Sequence, residues 1–167
     1  GGHGQLGNNN NQNAHVPVTV FNSYGGNPVA VSSGQFYSCL LKGDGTVWCW
    51  GARLGGDSTT PVQVSGLANV TDIAAGYKHA CALKNDSTVW CWGENEWGWL
   101  GDGTRLDSAI PVQVAGLTNI FAIEAGNYHT CAIEVGGTLY CWGDNANGQL
   151  GNGQSDLHPT PTLITGP

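Results

Sequence analysis

Methionine is absent from this chain of 167 residues, and charge is scarce, with Lys, Arg, Asp and Glu together making up 10%. Only five bases occur, Lys42, Arg53, Lys78, Lys84 and Arg105, and they are scattered singly. A surface that tracks phosphates needs clustered Lys and Arg, so the composition argues against direct nucleic-acid binding. A net charge of −7 argues equally against docking on an anionic membrane. No apolar run approaches the roughly 18 residues of a membrane span. The opening GGHGQLGNNNN has neither the basic start nor the apolar stretch of a secretory signal. With no Met at position 1, the chain reads as a mature or excised product. A helical period of 3.6 is missing as well.

Glycine, tryptophan and cysteine are plentiful instead: 27, 7 and 6 residues. Hydrophobic residues make up 40%, too many for a disordered chain, and the glycines lack the period of three of collagen. They punctuate a repeat. Segments beginning at Gly34, Gly76 and Gly126 align over eighteen residues each and end in CWG, with starts 42 and 50 residues apart. PVQV recurs at 61–64 and 111–114, with PVTV at 17–20 and PTLI at 161–164. GQLG, GWLG and GQLG stand 13 residues before the first proline in three copies; the first full repeat lacks this loop through an eight-residue deletion.

Within a unit, four short β-prone runs are separated by Gly, Asn and Asp clusters, which predicts four strands joined by turns. His79, Cys81 and Leu83 fall on one face of their strand, and Ala80 and Ala82 on the other. Both faces are apolar, so both need cover. Four-stranded blades stacked side by side supply it; a generic β-sandwich is the plainer alternative. The expected fold is all-β, with three four-stranded antiparallel propeller blades at 17–51, 61–93 and 111–143, forming one repeat domain over 1–167. Residues 1–16 then read as the tail of a preceding repeat, and 144–167 as the start of a further one. Three blades do not close a ring.

The cysteines fall as Cys39/Cys49, Cys81/Cys91 and Cys131/Cys141, all with one spacing. A hairpin turning around Asp86 sets Cys81 opposite Cys91, and the repeat extends that register to the other pairs, which predicts three cross-strand disulfides. Free buried thiols and a metal site are the competing readings, but the close-spaced pairs of a zinc site are absent. Disulfides imply a secreted, periplasmic or cell-surface protein.

The string G-x-x-H-x-C-A-L, then V-W-C-W-G-x-N-x-x-G-x-L-G-D-G-T and PVQV, resembles the regulator-of-chromosome-condensation repeat, in the cysteine-paired form of bacterial extracellular proteins. The copy at 76–126 matches almost throughout; the 34–76 copy has Tyr37 where the others have His79 and His129. The resemblance implies seven-bladed β-propellers with blades of about 50 residues, acting as interaction platforms. One branch of the family resembles a nucleotide exchanger for a nuclear GTPase, and another a secreted β-lactamase inhibitor. Acidity and paired cysteines fit the nuclear role poorly. An incomplete ring leaves three possibilities: a fragment of a longer propeller, copies closing a six- or seven-bladed ring, or copies stacking into a fibre.

No catalytic constellation emerges, so the chain reads as a non-enzyme. His79 and His129 are expected to bond to local backbone in successive blades. Asp102 and Asp107, with Asp144, could offer oxygens to Ca²⁺, though Asp-Gly and Asn-Gly pairs also form turns for their own reasons. No other cofactor is expected. Trp48, Trp50, Trp90, Trp92 and Trp142 occupy repeat-equivalent strand positions and read as core. Trp97 and Trp99 lie in a loop whose sister copies lack them, and read as interaction anchors for a protein or sugar. Asn69-Val-Thr and Asn85-Asp-Ser are glycosylation sequons. The expected partner is protein, above all further copies of the chain in a homo-oligomer or polymer; the alternative is a secreted module that inhibits an enzyme or recognises carbohydrate.

Overall fold

The computed structural model describes residues 2–20, 25–52 and 56–165. Among them twelve strands form three antiparallel four-stranded sheets. The first holds β1 (Pro28–Ser33), β2 (Tyr37–Lys42), β3 (Val47–Gly51) and β4 (Ser58–Gln63) in chain order. The second holds β5 (Val70–Ala75), β6 (His79–Lys84), β7 (Val89–Gly93) and β8 (Ser108–Gln113). The third holds β9 (Ile120–Ala125), β10 (His129–Glu134), β11 (Leu139–Gly143) and β12 (His158–Leu163). No helix long and apolar enough to cross a membrane occurs among the described residues.

The blade phase differs from the one read off the sequence. PVQV closes a blade instead of opening the next: Val62 pairs with Cys49, and Val112 with Cys91. The blades therefore run 28–63, 70–113 and 120–163, not 17–51, 61–93 and 111–143. Residues 158–163 complete the third blade, so 144–167 is not the start of a further repeat. Pro17–Val20 form no strand, and residues 21–24 of the expected first blade lie outside the described residues. The physical reason lies in the link after PVQV. There Gly66 and Asn69 take φ of +83° and +58°, turning the chain out of one sheet and into the next. A four-strand repeat looks the same wherever it is cut, and only such a bend fixes the cut.

Hairpin pairing follows the predicted register: Cys39 lies opposite Cys49, Cys81 opposite Cys91 and Cys131 opposite Cys141. All three pairs are bonded, at Cα separations of 4.0–4.1 Å. The turns between these strands are tied by a small recurring network. Asp44 Oδ1 accepts from Thr46 Oγ1 at 2.6 Å, and Trp48 Nε1 donates to that hydroxyl at 3.2 Å. Asp86, Thr88 and Trp90 repeat it at 2.6 and 3.0 Å. Hydrogen bonds from Thr46 and Lys42 hold the Asp44 carboxyl at about 2.

Blade 2 is covered on both sides. Between blades 1 and 2, Cys39, Leu41, Val47 and Cys49 pack against Val70, Ile73, Ala80, Ala82 and Trp92. Between blades 2 and 3, Cys81, Leu83, Val89 and Cys91 pack against Ile120, Ile123, Ala132 and Trp142. The first two disulfides thus point forward along the chain into an interblade core, and Trp92 and Trp142 point back into those cores. The small Ala82 sits opposite Trp90 in the same hairpin.

Candidate interaction surfaces

The same alternation leaves one face of blade 1 and one face of blade 3 without a neighbouring blade among the described residues. On the back of blade 1, Val31 is 72% exposed, whereas its repeat equivalents Ile73 and Ile123 are 9% and 7% exposed. On the front of blade 3, Cys131, Ile133 and Leu139 are half-buried, although Cys81, Leu83 and Val89 are buried in the preceding blade.

Polar side chains stitch each blade to the next at one level. The Tyr37 hydroxyl donates to the His79 carbonyl, and burial pushes that hydroxyl's pKa up. His79 Nε2 lies 2.9 Å from Thr130 Oγ1 in blade 3, and its ring packs 5.5 Å from Trp99. The ring was expected to bond local backbone; it reaches the neighbouring blade instead. Burial, then the charge of His129, lowers the His79 pKa from 6.5 to about 3, so the imidazole is neutral. His129, the forward equivalent in blade 3, is half-buried and shifted the same way by desolvation.

A second stitch comes from the loop between the third and fourth strands of a blade. Asn95, fully buried, organises it. Its Nδ2 donates to Asp102 Oδ1, to the Thr104 carbonyl and hydroxyl, and to the Leu106 carbonyl, while its Oδ1 accepts from Leu100 N–H at 2.9 Å. So held, the loop places Trp99 over blade 3, where Trp142 Nε1 donates to the Trp99 carbonyl at 2.9 Å. Gly101 lies against that indole so closely that a Cβ would stand 2.6 Å from Nε1. Residues 2–9 do the same for blade 1: Trp50 Nε1 donates to the Gln5 carbonyl at 2.9 Å, and a Cβ on Gly7 would stand 2.7 Å from it. Asn145 repeats the Asn95 arrangement in the last loop, with Oδ1 accepting from Leu150 N–H and Nδ2 donating to Asn152 Oδ1.

The two loop tryptophans part company. Trp99 is buried, stacked between His79 and Tyr128 at centroid distances of 5.5 Å. Trp97 is 43% exposed, with the Arg105 guanidinium 6.0 Å over its ring. Together with Tyr77, Tyr128, Glu96 and Asp144 it borders a recess of about 390 Å³. The three aspartates weighed for Ca²⁺ are spread through two loops and engaged in turns. Asp102 Oδ1 accepts from Thr104, Asp107 Oδ1 from Asn95 N–H, and Asp144 from Ala146 N–H and Gln149 Nε2. Asn69 and Asn85 are both exposed, Asn85 in the turn between β6 and β7. Sequence reasoning missed the blade-to-blade role of the Tyr37/His79/His129 position. The signal was the step from Ser38 and Ala80 to Thr130 one place further on.

The regulator of chromosome condensation (RCC1) repeat matches residues 86–133 and 136–167, and a second form of that repeat matches 29–52, 70–96 and 122–149. Among curated proteins none matches the chain. Among solved structures, human WBSCR16 superposes with a TM-score of 0.82 at 21% identity, over 98% of this chain and 45% of that one. Prp20p of Saccharomyces cerevisiae, described with its binding properties to Gsp1p and histones, gives 0.73 at 25% identity, over 84% and 37%. The ectodomain of the receptor kinase CR4 of Physcomitrella patens gives 0.50 at 27%, over 71% and 30%. The chain spans less than half the length of each. The repeat signatures jointly run through 29–52 and 70–167 and so take in all three disulfide-bearing blades, and the chain belongs to the RCC1 repeat family.

Proposed function

We propose that this protein is an extracellular, non-enzymatic propeller scaffold that works through protein contacts and associates with further copies of itself through its two uncovered blade faces. The observation carrying this reading is the contrast between Val31 and its buried equivalents Ile73 and Ile123. A residue built to be covered lies open, and apolar surface of this kind is normally matched by a partner. Three intrachain disulfides suit an oxidising compartment, and the similarity to a receptor ectodomain points the same way. Protein as the partner class agrees with what is described for Prp20p. The test is mass against concentration by analytical ultracentrifugation. The weight-average mass is expected to climb above 17.4 kDa as concentration rises, and to climb less in Val31→Lys. A mass fixed at the monomer value throughout would sink the self-association.

A second reading, recognition of carbohydrate or of an enzyme, is favoured at one place, the recess beside Trp97. Exposed aromatic rings flanked by the carboxylates of Glu96 and Asp144 are what a sugar's apolar face and hydroxyls require. Glycan-array binding that Trp97→Ala abolishes, with the thermal midpoint unchanged, is the expected signature. An array without signal would remove sugar as the ligand.

A further inference from the structure

Two stretches of the chain carry one pentapeptide, GQLGN, at Gly4–Asn8 and at Gly148–Asn152. Both are folded alike: Gly7 N–H donates to the Gly4 carbonyl at 2.9 Å, and Gly151 N–H to the Gly148 carbonyl at 3.0 Å. Their surroundings differ. The first is seated on blade 1, with the Gln5 carbonyl accepting from Trp50 Nε1 and, at 3.2 Å, from Ser38 Oγ. A Cβ on Gly4 would meet the backbone of Ser58 and Thr59, just as one on Gly98 would meet Pro159 in blade 3. The second is unseated: around Gly148 there is nothing within 4 Å of such a Cβ, and around Gly151 only an Ile164 methyl at 3.9 Å.

We propose that the Gly148–Asn152 loop of one copy docks on the Trp50 seat of a second copy, displacing the Gly4–Asn8 segment that occupies it, so that this segment is a built-in competitor of assembly. The inference rests on the self-association reading above and adds its contact and its control. A second copy is the occupant because the two faces match in kind. The front of blade 3 carries His129 where blade 2 carries His79, and the His79 ring meets the Thr130 hydroxyl. In blade 1 that hydroxyl position is Ser38; in blade 2, which follows Tyr37, it is Ala80. Blade 1 of a second copy therefore brings a hydroxyl for His129, an indole N–H for the Gln149 carbonyl, and Val31 to cover Ile133 and Leu139. Inside the chain the apolar cores of the two joints use equivalent positions, and the joint between blades 2 and 3 has the hydroxyl and the loop carbonyl as well.

One substitution made at the two sites separates competitor from donor. Asn tolerates positive φ, so Gly7→Asn at +65° and Gly151→Asn at +73° place like demands on the local backbone conformation and differ in what the new Cβ meets. At Gly7 it meets the Trp50 indole and expels the segment; at Gly151 it meets open space in the single chain and blocks only the docked state. Gly7→Asn is expected to tighten association by about tenfold or more, Gly151→Asn to weaken it by a similar factor, and the double variant to behave as Gly151→Asn. Circular dichroism and thermal melts confirm that each variant is folded. If native chain and Gly7→Asn both remain monomers, the self-association reading fails and this inference with it. If the native chain associates and neither substitution moves its association constant, the reading stands and the exchange of loops is overturned. Tightening by Gly7→Asn that Gly151→Asn fails to suppress overturns it as well.

Discussion

Reducing all three disulfides is expected to lower the stability of the chain by about 8 kcal/mol. Each bond joins cysteines ten residues apart, and by the chain-entropy relation a loop of that length contributes roughly 2.7 kcal/mol. Three independent loops sum to about 8 kcal/mol, against a typical total of about 5–15 kcal/mol for a folded domain. The reduced chain is therefore expected to lose its cooperative urea transition. An unchanged midpoint in the presence of a strong reductant would contradict this. The order of loss is also set. Cys39–Cys49 and Cys81–Cys91 are enclosed in interblade cores, whereas Cys131 is half-buried on the open front of blade 3. Differential alkylation followed by mass spectrometry is expected to find Cys131 and Cys141 labelled first.

Acid is expected to unfold the protein through His79. The unfolded chain takes up a proton near the ordinary value of 6.5, and the folded chain refuses it down to about 3. Below 6.5 the unfolded state holds more protons, so stability falls as pH falls, by about 1.4 kcal/mol per unit, until the folded pKa is reached. Integrated over that window the loss is about 5 kcal/mol, comparable to the whole stability of a marginal domain. His129, shifted in the same direction, adds to the slope. Urea midpoints between pH 7 and 4 provide the measurement (about one point per half unit). His79→Gln keeps a polar group near Thr130 and removes the titration, so its profile is expected to be markedly flatter. A native profile as flat as that of the variant would remove His79 as the cause.

Much of the architecture was legible in the residues themselves. The alternation of Cys81 and Leu83 with Ala80 and Ala82 showed two apolar faces, and the structure puts an interblade core on each. The constant cysteine spacing fixed the hairpin register because a side-chain period of two admits only one opposition of Cys81 and Cys91. Blade phase was not legible, since strand-forming residues say nothing about which strand begins a sheet; the φ values at Gly66 and Asn69 do. Nor was the split between Trp97 and Trp99. The two residues share a loop and differ only in what blade 3 places beside them, with Tyr128 arriving from 29 residues beyond Trp99. The role of Asn95 was not legible for the same reason: its partners, from Leu100 to Leu106, reach it only when the loop closes.

The loops give the repeat a direction. Trp50 and Trp142 are each finished by a carbonyl that precedes them in the chain, from Gln5 and from Trp99. During synthesis, which proceeds from the N-terminus, blade 3 therefore emerges beside a neighbour whose loop already holds out its contact. Its front still waits for a later blade, as that of blade 2 does until Thr130 arrives opposite His79. Adding a blade at the growing end covers an open front, and removing one strips that cover, as loss of blade 3 would from Cys81, Leu83 and Val89.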